Sequence, residues 1–236
     1  AMLLRILAVL LAPIPALAAE IHVAAAASLS DVLRELGAMH ERTSRDRLVF
    51  NFAASNILAR QIQQGAPADL FISADESRMN QVAILSETRR ELLSNALVIV
   101  APRNSAIRTP RDLVRAKRIA LANPDSVPAG IYAKQYLTSI GLWTQLAPKV
   151  IPTENVRGAL AAADGGNVDA AIVYRTDARI AKHVRVVFEI ANGPKIVYPA
   201  AVLRDAKQPL AARRFLQFLT SNEAAAIFRK HGFIVR

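Results

Sequence analysis

The chain has 236 residues, a formal net charge of +11 and no cysteine. A sequence without cysteine has no disulfides, thiolate metal sites or cysteine nucleophile. The length allows one large domain or two small ones with a complete hydrophobic core. Aromatic residues make up only 6% of the chain and the basic residues are scattered. The charge therefore indicates a solvated surface that attracts anions, and the composition argues against nucleic acid as a partner.

The N-terminal segment has the pattern of a secretory signal peptide. One arginine lies within an apolar run, Pro13 and Pro15 interrupt that run, and the small-residue sequence Ala-Leu-Ala ends at Ala18. We therefore expect a signal peptide over residues 1–18, with cleavage after Ala18 or Ala19. The run is too short and too interrupted to span a membrane. No other stretch is apolar enough, so the mature chain is predicted to be exported without membrane insertion.

A strand passes directly into a helix between residues 21 and 36, in the sequence IHVAAAASLSDVLREL. The apolar spacing changes from that of a strand to that of a helix near Ser28. Backbone N–H groups in a first helical turn have no partner within the helix and carry the positive end of its dipole. The junction therefore predicts an anion site at Ser28. The alternative is that Ser28 or Ser30 only caps the helix.

Strands and helices alternate along the rest of the chain. Further strands are predicted over residues 48–53, 70–74, 97–101, 118–122, 150–151, 170–174, 184–190 and 196–203. Helices are predicted around Leu58, from Tyr132 to Ile140, through Leu160 and over residues 210–230. This alternation predicts an α/β fold of mostly parallel sheets flanked by helices. Ligands of such sheets bind at the carboxyl ends of the strands.

The junction at Ser28 is repeated along the chain. Ser55 follows another strand, while Ala129 and Val156 each open a helix and Tyr174 ends a strand. Four helix starts and one phenol could surround a small anion with neutral hydrogen-bond donors. No nucleophile elbow, phosphate loop, H-E-x-x-H or G-x-G-x-x-G motif competes with this interpretation.

Other polar residues are interpreted as structural. The four histidines at positions 22, 40, 183 and 231 have no metal-ligand spacing, so we expect them to lie at the surface or to pack. Asp69 and Asp75 flank a strand and are expected at its opposite ends, as turn or cap residues.

Several segments, in order over nearly all of the mature chain, resemble the periplasmic molybdate-binding proteins of ABC importers. GAPADLFISAD (residues 65–75) and VPAGIYAK (residues 127–134) are the most specific. The others are AAASLSDVL (25–33), NALVIVAP (95–102), ENVRGALA (154–161), AAIVYRTDA (170–178), VYPAAVL (197–203) and AAAIFRKHGF (224–233).

The resemblance implies a two-lobed, type II periplasmic binding protein fold, in which each lobe is a mostly parallel sheet flanked by helices. We expect residues 20–99 plus 199–236 to form lobe one and residues 100–198 to form lobe two. The apolar runs LVIVA and VYPAAVL are expected to be two paired hinge strands.

The resemblance also implies the ligand, molybdate or tungstate held between the lobes, with molybdenum present only as the bound oxyanion and no cofactor. Its contacts would be the hydroxyls and amides of Ser28 and Ser55, the amides of Ala129 and Val156, and the Tyr174 hydroxyl. Many family members have a run of serines where this chain has Ala-Ala-Ser-Asn, so Ser55 is the only hydroxyl left there.

The implied partners are the permease of an ABC importer and its ATPase, and the implied protein is a periplasmic monomer without enzymatic activity. Two alternatives stay open. One is a binding protein for another small anion, such as sulfate or a carboxylate. The other is an enzyme on the same fold, although a deaminase of this kind carries its cofactor on a cysteine, and a hydrolase needs a base beside Ser28 or Ser55.

Overall fold

The computed structural model describes residues 18–235, so the expected signal peptide lies outside the described residues except for Ala18. The strands are β1 (Glu20–Ala26), β2 (Arg47–Ala53), β3 (Leu70–Ile72), β4 (Arg90–Asn95), β5 (Leu97–Pro102), β6 (Ile119–Ala122), β7 (Val150–Thr153), β8 (Ala170–Tyr174), β9 (Val184–Glu189) and β10 (Ile196–Val202). The helices are α1 (Ser30–Ser44), α2 (Ser55–Gln63), α3 (Glu76–Met79), α4 (Pro128–Ser139), α5 (Trp143–Leu146), α6 (Val156–Asp164), α7 (Arg175–Ala178), α8 (Pro209–Leu219) and α9 (Asn222–Lys230).

The strands form two five-stranded sheets, in the orders β2-β1-β3-β10-β4 and β7-β6-β8-β5-β9. In the first sheet β1 is parallel to β2 and β3, whereas β10 is antiparallel to β3 and β4. The second sheet has the same plan, with β5 as the antiparallel strand. The two sheets, flanked by helices, confirm the predicted α/β fold with mostly parallel sheets.

The predicted hinge pairing is wrong. β5 and β10 lie in different sheets, and each pairs with strands of its own sheet. Strand β4 was not predicted, and it passes to β5 through Ala96 alone, while residues 190–195 connect β9 to β10. The predicted lobe boundaries at 99/100 and 198/199 therefore fall inside β5 and β10. The division of the chain into two moving lobes stays a prediction.

The predicted C-terminal helix over residues 210–230 is in fact two helices, α8 and α9. They are separated at Thr220 and Ser221, and the Ser221 side chain accepts a hydrogen bond from the Ala224 amide. A serine that caps a new helix provides a local alternative to continuing the old one, which the apolar spacing did not reveal.

The central strands of both sheets are buried on both faces. Every residue of β3, β6, β8 and β10 is buried, as expected for strands covered by helices on both sides. Apolar side chains from both sheets belong to one large buried cluster. Within residues 18–235, none of the helices has the length and apolar character needed to cross a bilayer.

Candidate ligand-binding site

A small cavity lies between the two sheets, where the strands end and the helices begin. It is lined by Ala26, Ala27, Ser28, Ala53, Ala54, Ser55, Ala74, Val127, Pro128, Ala129, Asn155, Val156 and Tyr174. The cavity measures about 20 Å³, on a scale where one water needs roughly 10–15 Å³. This size restricts the occupant to a small ion or molecule. The structure brings all five predicted site residues to this cavity.

Ser28 lies on a turn of 3₁₀ helix between β1 and α1 and is buried. Its Oγ is 2.9 Å from the hydroxyl oxygen of Tyr198. Ser28 lines the cavity at the carboxyl end of β1, where the junction was predicted.

Ser55 is the first residue of α2 and is 1% exposed. Its Oγ accepts a hydrogen bond of 2.9 Å from the backbone N–H of Ala74, just beyond β3. Because that bond occupies an acceptor position, the single hydroxyl proton of Ser55 remains available to a ligand. Ser55 can thus donate to a ligand in the cavity that it lines, and it also ties α2 to the segment after β3.

Ala129 is the second residue of α4, after Pro128 at the first position. Proline has no N–H, so the Ala129 amide is the first one that the helix can offer. Gly130 follows, and a Cβ there would lie 1.9 Å from the carbonyl oxygen of Ala122. A glycine at this position allows the start of α4 to approach the end of β6 closely.

Val156 is the first residue of α6, and Asn155 caps the helix by accepting a hydrogen bond of 3.1 Å from the Gly158 amide. The cap satisfies the Gly158 amide, also in the first turn, and leaves the Val156 amide without an intrahelical partner. This amide therefore adds a second backbone donor to the Ala129 amide of α4.

The Tyr174 hydroxyl is the most informative group of the site. It lies at the end of β8, its side chain is 1% exposed, and its oxygen has no hydrogen-bond partner within residues 18–235. Burial of the phenol raises its pKa well above the usual value, so it is protonated and able to donate. A buried hydroxyl without a partner costs about 1–3 kcal/mol, so this group is a candidate to donate to a bound ligand.

The lining residues carry no carboxylate, imidazole or cationic side chain. The site therefore offers amides and hydroxyls that donate, together with the dipoles of helix starts. Such a site suits a small anion with acceptor oxygens. None of the side chains lining this cavity is a carboxylate or imidazole base of the kind that a hydrolase requires.

Side-chain contacts of Arg78 and Arg157 join elements of the two sheets, and the sequence did not predict them. Arg78 donates from Nη2 to the carbonyl oxygen of Ser126 at 2.7 Å. Arg157 Nη2 lies 2.7 Å from Asp31 Oδ2, and its Nε lies 2.5 Å from Asp177 Oδ1 without the alignment of a hydrogen bond. Nothing in the local sequence pattern marks these partners, because they are distant along the chain.

The two aspartates have the structural roles that were expected. Asp75 caps α3 by accepting a hydrogen bond of 2.8 Å from the Arg78 amide. Asp69 accepts from the backbone amides of His22 and Gln208, each at 2.8 Å. No group of histidines and carboxylates within the described residues could hold a metal ion.

Comparisons with known proteins agree with the fold. A family model described as bacterial extracellular solute-binding protein matches residues 21–234. The molybdate-binding protein ModA of Escherichia coli is 40% identical over 231 residues, which cover 92% of this chain and 90% of that protein. The ModA protein of Haemophilus influenzae is 32% identical over 233 residues, covering 92% of this chain and 91% of that protein.

A solved structure, the periplasmic molybdate-binding protein of Azotobacter vinelandii, is similar with a TM-score of 0.81 and covers 92% of this chain and 99% of that one. Its sequence identity is 23%, so it supports the fold alone. With a family model matched from the first strand to the C-terminal segment, the chain belongs to the bacterial extracellular solute-binding proteins.

Proposed function

We propose that this protein binds molybdate, and also tungstate, through Ser28, Ser55, Ala129, Val156 and Tyr174, and delivers it to an ABC importer. The proposal depends on the buried hydroxyl of Tyr174, which has no hydrogen-bond partner in the described part of the chain and belongs to a cavity lined by neutral side chains. The relatives named as molybdate-binding proteins support this choice of ligand.

The donor set matches the chemistry of these oxyanions. Molybdate and tungstate are tetrahedral dianions whose oxygens all accept hydrogen bonds at neutral pH. Each hydrogen bond to a charged group contributes about 1.5–3 kcal/mol, and the loss of rigid-body freedom opposes binding by several kcal/mol. The seven donors proposed from these five residues are then sufficient for a dissociation constant below about 1 μM, which corresponds to roughly 8 kcal/mol.

The proposal includes the setting of the protein. The family is extracellular, and we infer a periplasmic location after removal of a signal peptide. The proposed partners are the permease and the ATPase of the importer. The proposed form is a monomer that acts by binding, without a cofactor and without enzymatic activity.

Isothermal titration calorimetry of the purified chain with molybdate, tungstate and sulfate tests the function. We expect submicromolar binding of molybdate and tungstate at one site per chain and much weaker binding of sulfate, whose shorter bonds place its oxygens farther from the donors. Equal or tighter binding of sulfate would mean that molybdate is not the preferred ligand. No binding of any of the three anions would refute the proposal. Metal analysis of the protein as purified is an independent check.

A further inference from the structure

Ser28 is in contact with a chain of buried polar side chains that do not line the cavity. Tyr198 places its hydroxyl 2.9 Å from Ser28 Oγ, and the Asn95 amide nitrogen lies 3.2 Å from the same tyrosine oxygen. Tyr198 is fully buried and Asn95 is 5% exposed. Neither residue lines the cavity, so we treat both as lying outside the proposed ligand contacts.

The orientation of the Asn95 side chain is determined by its other bonds. Its Oδ1 accepts a hydrogen bond of 2.9 Å from the Ala96 amide, and its Nδ2 also donates to Thr176 Oγ1 at 2.9 Å. Because an amide nitrogen only donates, the Tyr198 oxygen must accept from Asn95.

The direction of the next bond follows from this one. Burial raises the pKa of Tyr198 above its usual value, so the phenol keeps its proton. Within residues 18–235, Ser28 Oγ is the remaining hydrogen-bond partner of this hydroxyl. The arrangement that satisfies both bonds directs the tyrosine proton to Ser28 Oγ, which accepts it, and leaves the serine proton free for another acceptor.

We propose that Tyr198, held by Asn95, is a positioning residue that makes Ser28 a hydrogen-bond donor toward the ligand. The relay runs from Asn95 Nδ2 to the Tyr198 oxygen and from the Tyr198 proton to Ser28 Oγ. Ser28 without this relay is free to rotate its hydroxyl and to accept as well as donate. The inference rests on the proposed function, because it concerns the same oxyanion site.

The relay has a consequence for selectivity. An oxyanion without protons, such as molybdate or sulfate, presents an acceptor to Ser28. Hydrogen phosphate carries one P–O–H group, and a cavity of fixed donors leaves that proton without an acceptor. The Tyr198 relay therefore favours fully deprotonated oxyanions, and its loss should reduce this preference.

The test is Tyr198→Phe, which keeps the ring that packs edge-on against Tyr174 and Phe233. We expect molybdate affinity to fall about tenfold and hydrogen phosphate affinity to fall less, so that the preference becomes smaller. Tyr136→Phe is the matched control, because Tyr136 is a buried tyrosine on α4 that does not line the cavity. The molybdate affinity of the Tyr136→Phe variant should stay within about twofold of wild type.

A double-mutant cycle with Ser28→Ala separates a positioning role from a structural one. In the Ser28→Ala background, Tyr198→Phe should change molybdate affinity by less than about twofold, because the residue through which it acts is gone. Asn95→Ala removes the first donor of the relay, and it should weaken molybdate binding when Ser28 is present but not in the Ser28→Ala background. This variant provides a second test should Tyr198→Phe fail to fold.

The possible failures are distinguishable. If the wild-type protein binds no molybdate, the proposed function is wrong. If the wild type binds and Tyr198→Phe keeps its affinity, keeps the wild-type preference, or shows the same loss with and without Ser28, the relay is wrong while the function stands.

Discussion

Two buried polar groups near the end of β8 behave differently at the level of the single residue. The Tyr174 hydroxyl faces the cavity and has no partner among the residues described, whereas the Asp177 carboxylate lies beside the Arg157 guanidinium. Both groups lose hydration when the chain folds. We infer that the first is completed by ligand and that the second is a structural charge.

The Tyr174 hydroxyl should therefore serve binding at the expense of stability. In Tyr174→Phe we expect the ligand-free protein to be as stable as wild type or about 1 kcal/mol more stable, because an unpartnered buried hydroxyl is removed. Molybdate affinity should fall at least about tenfold. Chemical denaturation and calorimetry measure the two quantities. A clear loss of stability together with unchanged affinity would show that the hydroxyl is not a ligand contact.

Asp177 should make stability depend on pH. Burial raises the pKa of its carboxyl to about 6, and the charge of Arg157 opposes this rise. The folded protein thus holds the proton more tightly than the unfolded chain. Its contribution to stability is fully present below about pH 4 and is lost as the pH rises to about 6.

Asp177→Asn removes this titration. The free energy of unfolding of wild type minus that of the variant should fall by about 2–3 kcal/mol between pH 4 and pH 7. Denaturant unfolding of both ligand-free proteins at the two pH values measures the change. A difference that stays constant with pH would mean that Asp177 has an ordinary pKa.

The helix starts are the functional units at the level of the element. Gly130 and Gly158 are each the third residue of a helix whose first turn lies at the cavity. A Cβ on Gly130 would meet the Ala122 carbonyl oxygen at 1.9 Å, while a Cβ on Gly158 would lie 3.2 Å from the Thr153 side chain. Only the first contact forces the helix away from its strand.

Gly130→Ala should therefore displace the start of α4 together with the Ala129 amide. We expect a loss of about 1–3 kcal/mol in stability and a fall in molybdate affinity. Gly158→Ala is the matched control and should change both quantities little, since the more favourable helix propensity of alanine offsets the tighter contact. Thermal unfolding and calorimetry compare the pair. Equal effects of the two substitutions would argue against the close approach of α4 as the cause.

At the level of the whole molecule, the two sheets are joined by side-chain contacts as well as by the crossings of the chain. The bond from Arg78 to the Ser126 carbonyl is one such contact, and it joins α3, beside the first sheet, to the loop before α4 of the second. A ligand held from both sides should close the sheets over the cavity, and contacts of this kind then add to the apparent affinity.

Arg78→Lys keeps the charge but not the planar, forked donor. We expect molybdate affinity to fall about threefold to tenfold because the closed form loses a hydrogen bond. Arg90→Lys is the control, since Arg90 is exposed and, among the described residues, its side chain donates to the carbonyl oxygens of the nearby residues Glu87 and Arg89. Calorimetry of both variants measures the difference. An equal loss in both, or no loss in Arg78→Lys, would contradict a role for this contact in closure.

The sequence by itself determined the alternation of strands and helices and the points at which helices begin beside strands. These features depend on residue spacing and on small polar residues within a few positions of one another, so a local pattern is sufficient to predict them. Ser28, Ser55, Ala129, Val156 and Tyr174 were found in this way and through the family resemblance.

Only the tertiary structure decided which strands are neighbours and which side chains stand behind the cavity. The polar sequence of β4 gave no clear strand pattern, so the crossing at Ala96 was missed and the hinge strands were paired wrongly. Tyr198 lies 170 residues from Ser28 along the chain. A contact at that separation arises from the order of strands in the sheet, and local periodicity carries no information about that order.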